Sequence, residues 1–227
     1  MDKIQKMICE LVQKSGTSNP VKYVNDAVKG LAIDKVNRLI SKCDSCECCC
    51  NAKGMVDGRP DAWILIVGNG VPFNSDEHRS PKDSPDGKYL LEQIRKIGVD
   101  EEQLIWINAV NCFTGKNDKK RPPKINEIDE CGVYLDYIID AIKPFYILAL
   151  GNTAMTTLDL GNARNHGEWQ RVRDNIESMG VYSPSTTFLN LDDEDMKSDL
   201  EKEFIKDIKI FFESANETYP DTKLINK

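Results

Sequence analysis

The residues of this sequence best equipped for chemistry are its eight cysteines, five of which fall within eight positions, "CDSCECCC", residues 43–50. The other three are Cys9, Cys112 and Cys131. Thiolates gathered this closely are soft ligands suited to zinc or to an iron–sulfur cluster. The first residues alternate charged and apolar side chains with no apolar run of a secretory leader, so a cytoplasmic chain with reduced thiols is expected, and metal ligation is favoured over disulfides. A zinc knuckle made from residues 43–50 alone and a cluster recruiting distant cysteines are both open at this point.

A second group of residues is cationic. The segment "GKNDKKRPPK", residues 115–124, carries five cations and one acid, whereas the whole chain of 227 residues has a formal charge of −7. A field of that sign repels polyanions, so any phosphate-binding face must be local, and Lys119, Lys120 and Arg121 are its candidates. The remaining polar candidates sit in short loops: "GNGVP" after residue 67, "NAVNC" at 108–112, "LGNTA" at 150–154 and "YSPS" at 182–185.

Those loops need elements to bring them together. The runs "AWILIV" (62–67), "LIWINAV" (104–110) and "FYILAL" (145–150) read as buried strands, and a weaker fourth lies around 179–182. Helices are expected over 87–97, 126–142 and 192–213, with another opening at 152. Strands alternating with helices imply a three-layer α/β/α fold on a central parallel four-stranded sheet. Ligand sites of such sheets lie at the carboxyl ends of the strands, and all four polar loops follow strands. Residues 1–42 read as a helical N-terminal extension, 43–214 as the domain and 215–227 as a tail. The 40% hydrophobic composition suits a globular protein, and no apolar run approaches membrane-spanning length. The expectation is a monomer away from membranes.

In order and spacing these motifs resemble the family 4, iron–sulfur branch of the uracil-DNA glycosylase superfamily. That family's pattern runs from C-x-x-C through V-G-E-x-P-G, G-x-P-F-x-G-x-S-G-K-L-L, T-N-x-x-K-C, a cysteine before R-x-Y-L and A-L-G-x-T-A to H-P. Here stand Cys43 and Cys46, "IVGNGVP", "RSPKDSPDGKYLLEQI", "INAVNC", "CGVYL", "LALGNTA" and "YSPS". The likeness covers residues 42–212. It implies a [4Fe-4S] cluster on Cys43, Cys46, Cys112 and Cys131, with Cys48, Cys49 and Cys50 as spare thiols that could replace Cys46. It also implies DNA as partner and a monofunctional glycosylase that flips a base from the stack and hydrolyses its N-glycosidic bond.

The departures bear on substrate. The family's acid beside C5 of the base becomes Asn69, followed by Gly70; its stacking Phe becomes Lys82; its H-P histidine becomes Ser183. Asn108 keeps the position that reads the Watson–Crick edge, and His166 takes a basic position near DNA. The resemblance thus assigns catalysis to Asn69 and Ser183, base binding to Gly70, Lys82 and Asn108, and phosphate contact to Lys119, Lys120, Arg121 and His166. His78 could supply a missing imidazole. An opened space beside C5 implies a pyrimidine with a bulky 5-substituent, hydroxymethyl or glucosylated hydroxymethyl as in some phage DNA, and a part in antiphage defence. The alternatives are an inactive glycosylase fold that binds DNA or a partner, and an ordinary uracil-DNA glycosylase.

Overall fold

The computed structural model describes residues 20–48, 53–71, 80–116, 119–173, 176–218 and 224–225. Helix α1 (Pro20–Ser41) buries Ile33, Val36 and Ile40, whose spacing of three and four places them on one face. The two-residue strand β1 (Asp57–Gly58) leads into β2 (Ile64–Gly70). Helix α2 (Pro85–Lys96) starts where sequence chemistry favours it: Ser84 accepts the Gly87 N–H at 3.0 Å and Pro85 occupies the first turn. Strand β3 (Leu104–Val110) is followed by a small hairpin, β4 (Gly115–Lys116) and β5 (Lys119–Lys120), and by α3 (Ile125–Ile142). Then come β6 (Tyr146–Leu150), α4 (Asn152–Thr157), β7 (Trp169–Val172), β8 (Ile176–Val181), the short α5 (Pro184–Thr187) and the long α6 (Glu194–Thr218).

The main sheet has the order β1-β3-β2-β6-β8-β7. Its four central strands are parallel, as the alternation of strands and helices predicts, and the two edge strands are antiparallel additions. Period-two alternation divides the core between the two faces. Ile64, Ile66, Leu148 and Met179 pack with Leu90 and Ile94 of α2 and Phe204, Phe211 and Phe212 of α6. Leu65, Val67, Ile105 and Ile147 pack with Leu135, Ile138 and Ile139 of α3 and with the buried stripe of α1. The result is the expected three-layer arrangement. Leu224 is buried in the α6-side core, and the Asp100 N–H donates to its carbonyl at 2.7 Å.

The chain enters the parallel sheet at β2, steps to β3 on one side and crosses to β6 on the other. The connections leaving the carboxyl ends of β2 and β6 therefore run in opposite directions, the point at which such sheets form their ligand crevice. Asn69 is the last residue but one of the first of these strands, and Gly151 follows the other. Among the described residues no helix is long and apolar enough to cross a membrane.

Candidate active site

Asn69 is held by its own helix partner. Its side-chain Oδ1 accepts the Thr153 N–H at 3.0 Å and the Ala154 N–H at 3.4 Å, two of the free amides at the start of α4. Two backbone donors fix the orientation of the amide, so Oδ1 is committed and Nδ2 remains as a donor. Gly151 makes this packing feasible. Its φ of +85° suits glycine, and a Cβ there would lie 2.3 Å from Asn69 Nδ2 and 2.6 Å from Ser183 Cβ. Asn69 and Ser183 thus crowd against one bare backbone position.

Ser183 follows β8 and is 2% exposed. Its hydroxyl donates to Asp86 Oδ2 at 2.7 Å, and the Asp86 Oδ1 accepts the Ser185 N–H at 2.6 Å. Asp86 lies in the first turn of α2. Sequence reading missed it, because an acid there is a common complement to the helix dipole; only its spacing one residue before Gly87 in the matched motif could have drawn attention to it.

The opposite side of the crevice is differently arranged. Asn108, 3% exposed, sits against bare Cα positions: a Cβ on Gly68 would lie 2.5 Å from its Oδ1 and one on Gly54 3.3 Å from its Nδ2. Asn111, 1% exposed, points its Oδ1 toward the same Gly54, and neither its Oδ1 nor its Nδ2 has a hydrogen-bond partner. A buried amide without partners costs about 1–3 kcal/mol. Asn111 was given no role from sequence. Beyond it Gly70 is open on one side: a Cβ there would meet nothing closer than the Val110 carbonyl at 3.4 Å.

Cys112 directly follows Asn111 and meets Cys131 of α3. The two share a hydrogen bond, which together with burial raises Cys112 and, from the other end, lowers Cys131. Cys46 is raised by burial and by the neighbouring Cys112 and Cys43. Cys43 is desolvated, yet hydrogen bonds from Tyr134 and Ser45 and the charge of Lys53 hold it below the ordinary thiol value. The four thiols expected to act together are thus electrostatic neighbours, and their chemistry fits a [4Fe-4S] cluster. Among the described residues no three His, Cys, Asp or Glu side chains are grouped as they would be around a single metal ion.

Cys48 belongs to another group. Its Sγ donates to Glu127 Oε1 at 3.3 Å, and burial with the Glu127 charge pushes it up to about 12. Glu127 in turn takes both terminal nitrogens of Arg121, at 2.5 and 2.8 Å, and the Lys124 N–H at 2.8 Å. The Arg121 hydrogen bonds hold its carboxyl down to about 2. Arg121 was expected at phosphate. Instead both its terminal nitrogens are taken by Glu127, which anchors the basic loop to α3. The Lys119 and Lys120 side chains lie outside the described residues, as do Cys49, Cys50, His78 and Cys9.

Two further expectations meet a different geometry. Lys82 Nζ pairs with Asp57 of edge strand β1 at 2.7 Å, which directs it away from the Asn69 side of the crevice. His166 lies against Tyr182 with ring centres 4.1 Å apart; Nδ1 is 2.6 Å from Asp207 and Nε2 3.8 Å from Glu203. Those carboxylates repel a phosphate.

Residues 55–209 match the Uracil DNA glycosylase superfamily. The chain belongs to that superfamily. Similar curated proteins are each named Type-4 uracil-DNA glycosylase. That of Pyrobaculum aerophilum is 26% identical over 83% of this chain and 97% of its own length. That of Sulfurisphaera tokodaii is 29% identical over 63% of this chain and 64% of its own. That of Thermotoga maritima is 32% identical over 53% of this chain and 62% of its own. The matched part of this superfamily member therefore spans just under two thirds of the latter two relatives. The match contains β2, β3, β6 and β8 with all four polar loops, so the crevice described above lies within the superfamily region.

Proposed function

We propose that this chain is a monofunctional DNA glycosylase that accepts a flipped pyrimidine in the crevice and hydrolyses its N-glycosidic bond, the preferred base carrying a bulky 5-substituent rather than being plain uracil. Membership of the superfamily supports glycosylase chemistry, as do the names of the relatives. Asn108 and Asn111 support base recognition, because a base edge can supply the partners that Asn111 lacks and an amide can read adenine- or cytosine-like and uracil-like edges in either orientation.

The observation that carries the substrate preference is the pose of Asn69. Its amide turns onto α4 and Gly70 beside it has no side chain, so the space beside the base is left open where a longer acid would fill it. Hydroxymethylated and glucosylated pyrimidines of phage DNA have groups of that kind, and antiphage defence is the corresponding setting. Asn69 Nδ2 offers a neutral hydrogen bond to a developing base anion, weaker than a charged donor.

Cys43, Cys46, Cys112 and Cys131 would hold the [4Fe-4S] cluster. Cys46 is preferred to Cys48 because the Cys48 thiol is turned to Glu127, donating to its Oε1 at 3.3 Å. The cluster is structural in this reading, joining the end of α1 and the start of α3 to the loop after β3. DNA phosphates would be met by Lys119 and Lys120.

The test is a single-turnover screen of purified protein on oligonucleotides bearing uracil, thymine, 5-hydroxymethyl and glucosylated 5-hydroxymethyl pyrimidines, and on phage genomes, read as abasic sites. Faster release of 5-substituted bases is expected. Faster release of uracil would return the protein to ordinary repair specificity, and DNA binding with no abasic product on any substrate would make it a binding module.

A further inference from the structure

The proposed reaction needs a group that takes a proton from the attacking water, and Asn69 cannot be that group. Its Oδ1 is occupied by the Thr153 and Ala154 N–H groups, and its Nδ2 only donates. Ser183, packed against Gly151 beside it, stands where the family has its H-P histidine. It has one hydroxyl proton, and that proton points to Asp86 at 2.7 Å. A carboxylate only accepts, so what Ser183 can offer the crevice is its lone pairs. The Ser185 N–H holds the other Asp86 oxygen at 2.6 Å, which fixes the carboxylate against rotation. On this side of the crevice Asn69 is therefore the donor and Ser183 the acceptor, both packed against the bare Cα of Gly151.

We propose that Asp86 is a positioning residue of the hydrolytic step, acting through Ser183, and that the pair orients the nucleophilic water and receives its proton. The inference rests on the glycosylase reading above. As the bond from the water oxygen to C1′ forms, the C1′–N bond breaks and its electron pair leaves with the base. The water proton passes to Ser183 Oγ while the Ser183 proton passes to Asp86. The base anion is held by donors such as Asn69 Nδ2 until solvent protonates it. Asp86 comes from the first turn of α2 and Ser183 from the end of β8, so neither the loop after β2 nor any single motif contains the pair.

The experiment uses the full chain and whichever base-bearing oligonucleotide the wild type cleaves. Saturated single-turnover rate and half-saturating concentration are measured for wild type, Asp86→Asn, Asp86→Glu, Ser183→Ala and the double variant Asp86→Asn/Ser183→Ala. Asp86→Asn keeps an oxygen for the Ser185 N–H, and thermal melting of each variant confirms that it folds. We expect Asp86→Asn to lower the saturated rate about 100-fold with half-saturation unchanged, Ser183→Ala to do the same, and the double variant to be no slower than the slower single. Asp86→Glu should recover part of the rate. A loss confined to half-saturation, multiplicative losses in the double variant, or wild-type rates in Asp86→Asn would each overturn the proposal while leaving the glycosylase reading intact. A wild type that cleaves no base in the panel would overturn both.

Discussion

The two sides of the crevice handle their polar atoms in opposite ways. Around the carboxyl ends of β2, β6 and β8, Asn69 of β2, Ser183 after β8 and Asp86 of α2 are tied to neighbouring elements: an amide oxygen to the start of α4, a hydroxyl to a carboxylate, a carboxylate to the Ser185 N–H. At the end of β3, Asn111 is buried with neither amide atom paired. Closed hydrogen bonds fix direction, which suits groups that must act on one atom of a substrate. Unpaired ones lower stability unless a ligand completes them, which suits recognition. In the proposed reading the difference divides the labour: chemistry on the Asn69 side, reading of the base on the Asn111 side.

The largest expected effect bears on what holds the recognition side in place. Cys112→Ser or Cys131→Ser should lose iron, with the brown colour of the anaerobically purified protein, and lower the urea midpoint of unfolding. One zinc per chain retained by both variants would instead support a local knuckle and detach Asn111 from any cluster.

Next is the anchor of the basic loop. Glu127→Gln leaves Arg121 without its charged partner and should cost about 1–2 kcal/mol at neutral pH, since the carboxylate is buried while the Arg121 end is partly exposed and screened. The folded carboxyl is held to about 2, against about 4.3 when unfolded. Its folded value is depressed, so the contribution is complete above the unfolded value and is lost as pH falls from there toward 2. The stability difference between wild type and Glu127→Gln, followed by urea unfolding, should therefore shrink over that interval. A difference independent of pH would mean that the carboxylate charge is not what anchors the loop.

A smaller effect contrasts the two sides directly. Asn69→Leu removes the acceptor for two α4 amides and should cost about 1 kcal/mol. Asn111→Leu removes two unpaired buried atoms and should leave stability unchanged or raise it by about 1 kcal/mol, while weakening binding to substrate DNA. Equal destabilisation by both substitutions in urea titrations would erase the distinction. The smallest effect is on non-specific binding: Lys119→Gln/Lys120→Gln should reduce the slope of log affinity against log salt by about 2, as two phosphate contacts are lost. An unchanged slope would put the DNA path elsewhere.

Much of the scaffold was legible because its strands are long apolar runs. β3 begins and ends where the run "LIWINAV" does, and β6 within one residue of "FYILAL". The edge strands were not: β1 is two residues long, and β7, "WQRV", is half exposed and carries a charge, so neither leaves an apolar pattern. Within the site, Asn69, Asn108 and Ser183 could be placed in one crevice from the loops they occupy. What could not be read was the direction of each polar group. Arg121 looks like a phosphate ligand until α3 presents Glu127, and Ser183 looks like a donor until α2 presents Asp86. These are long-range or buried closures, and sequence spacing has no signal for them.

The central claim, that the pose of Asn69 and the bare Gly70 leave room beside the base, is tested most directly by Asn69→Glu. Single-turnover rates on uracil and on 5-hydroxymethyluracil are compared for wild type and variant. A longer carboxylate would fill the space and exclude the substituent by bulk and by its own desolvation, so the ratio of rates should move at least about tenfold toward uracil. A wild type that already prefers uracil, with a ratio that Asn69→Glu leaves unmoved, would contradict the account.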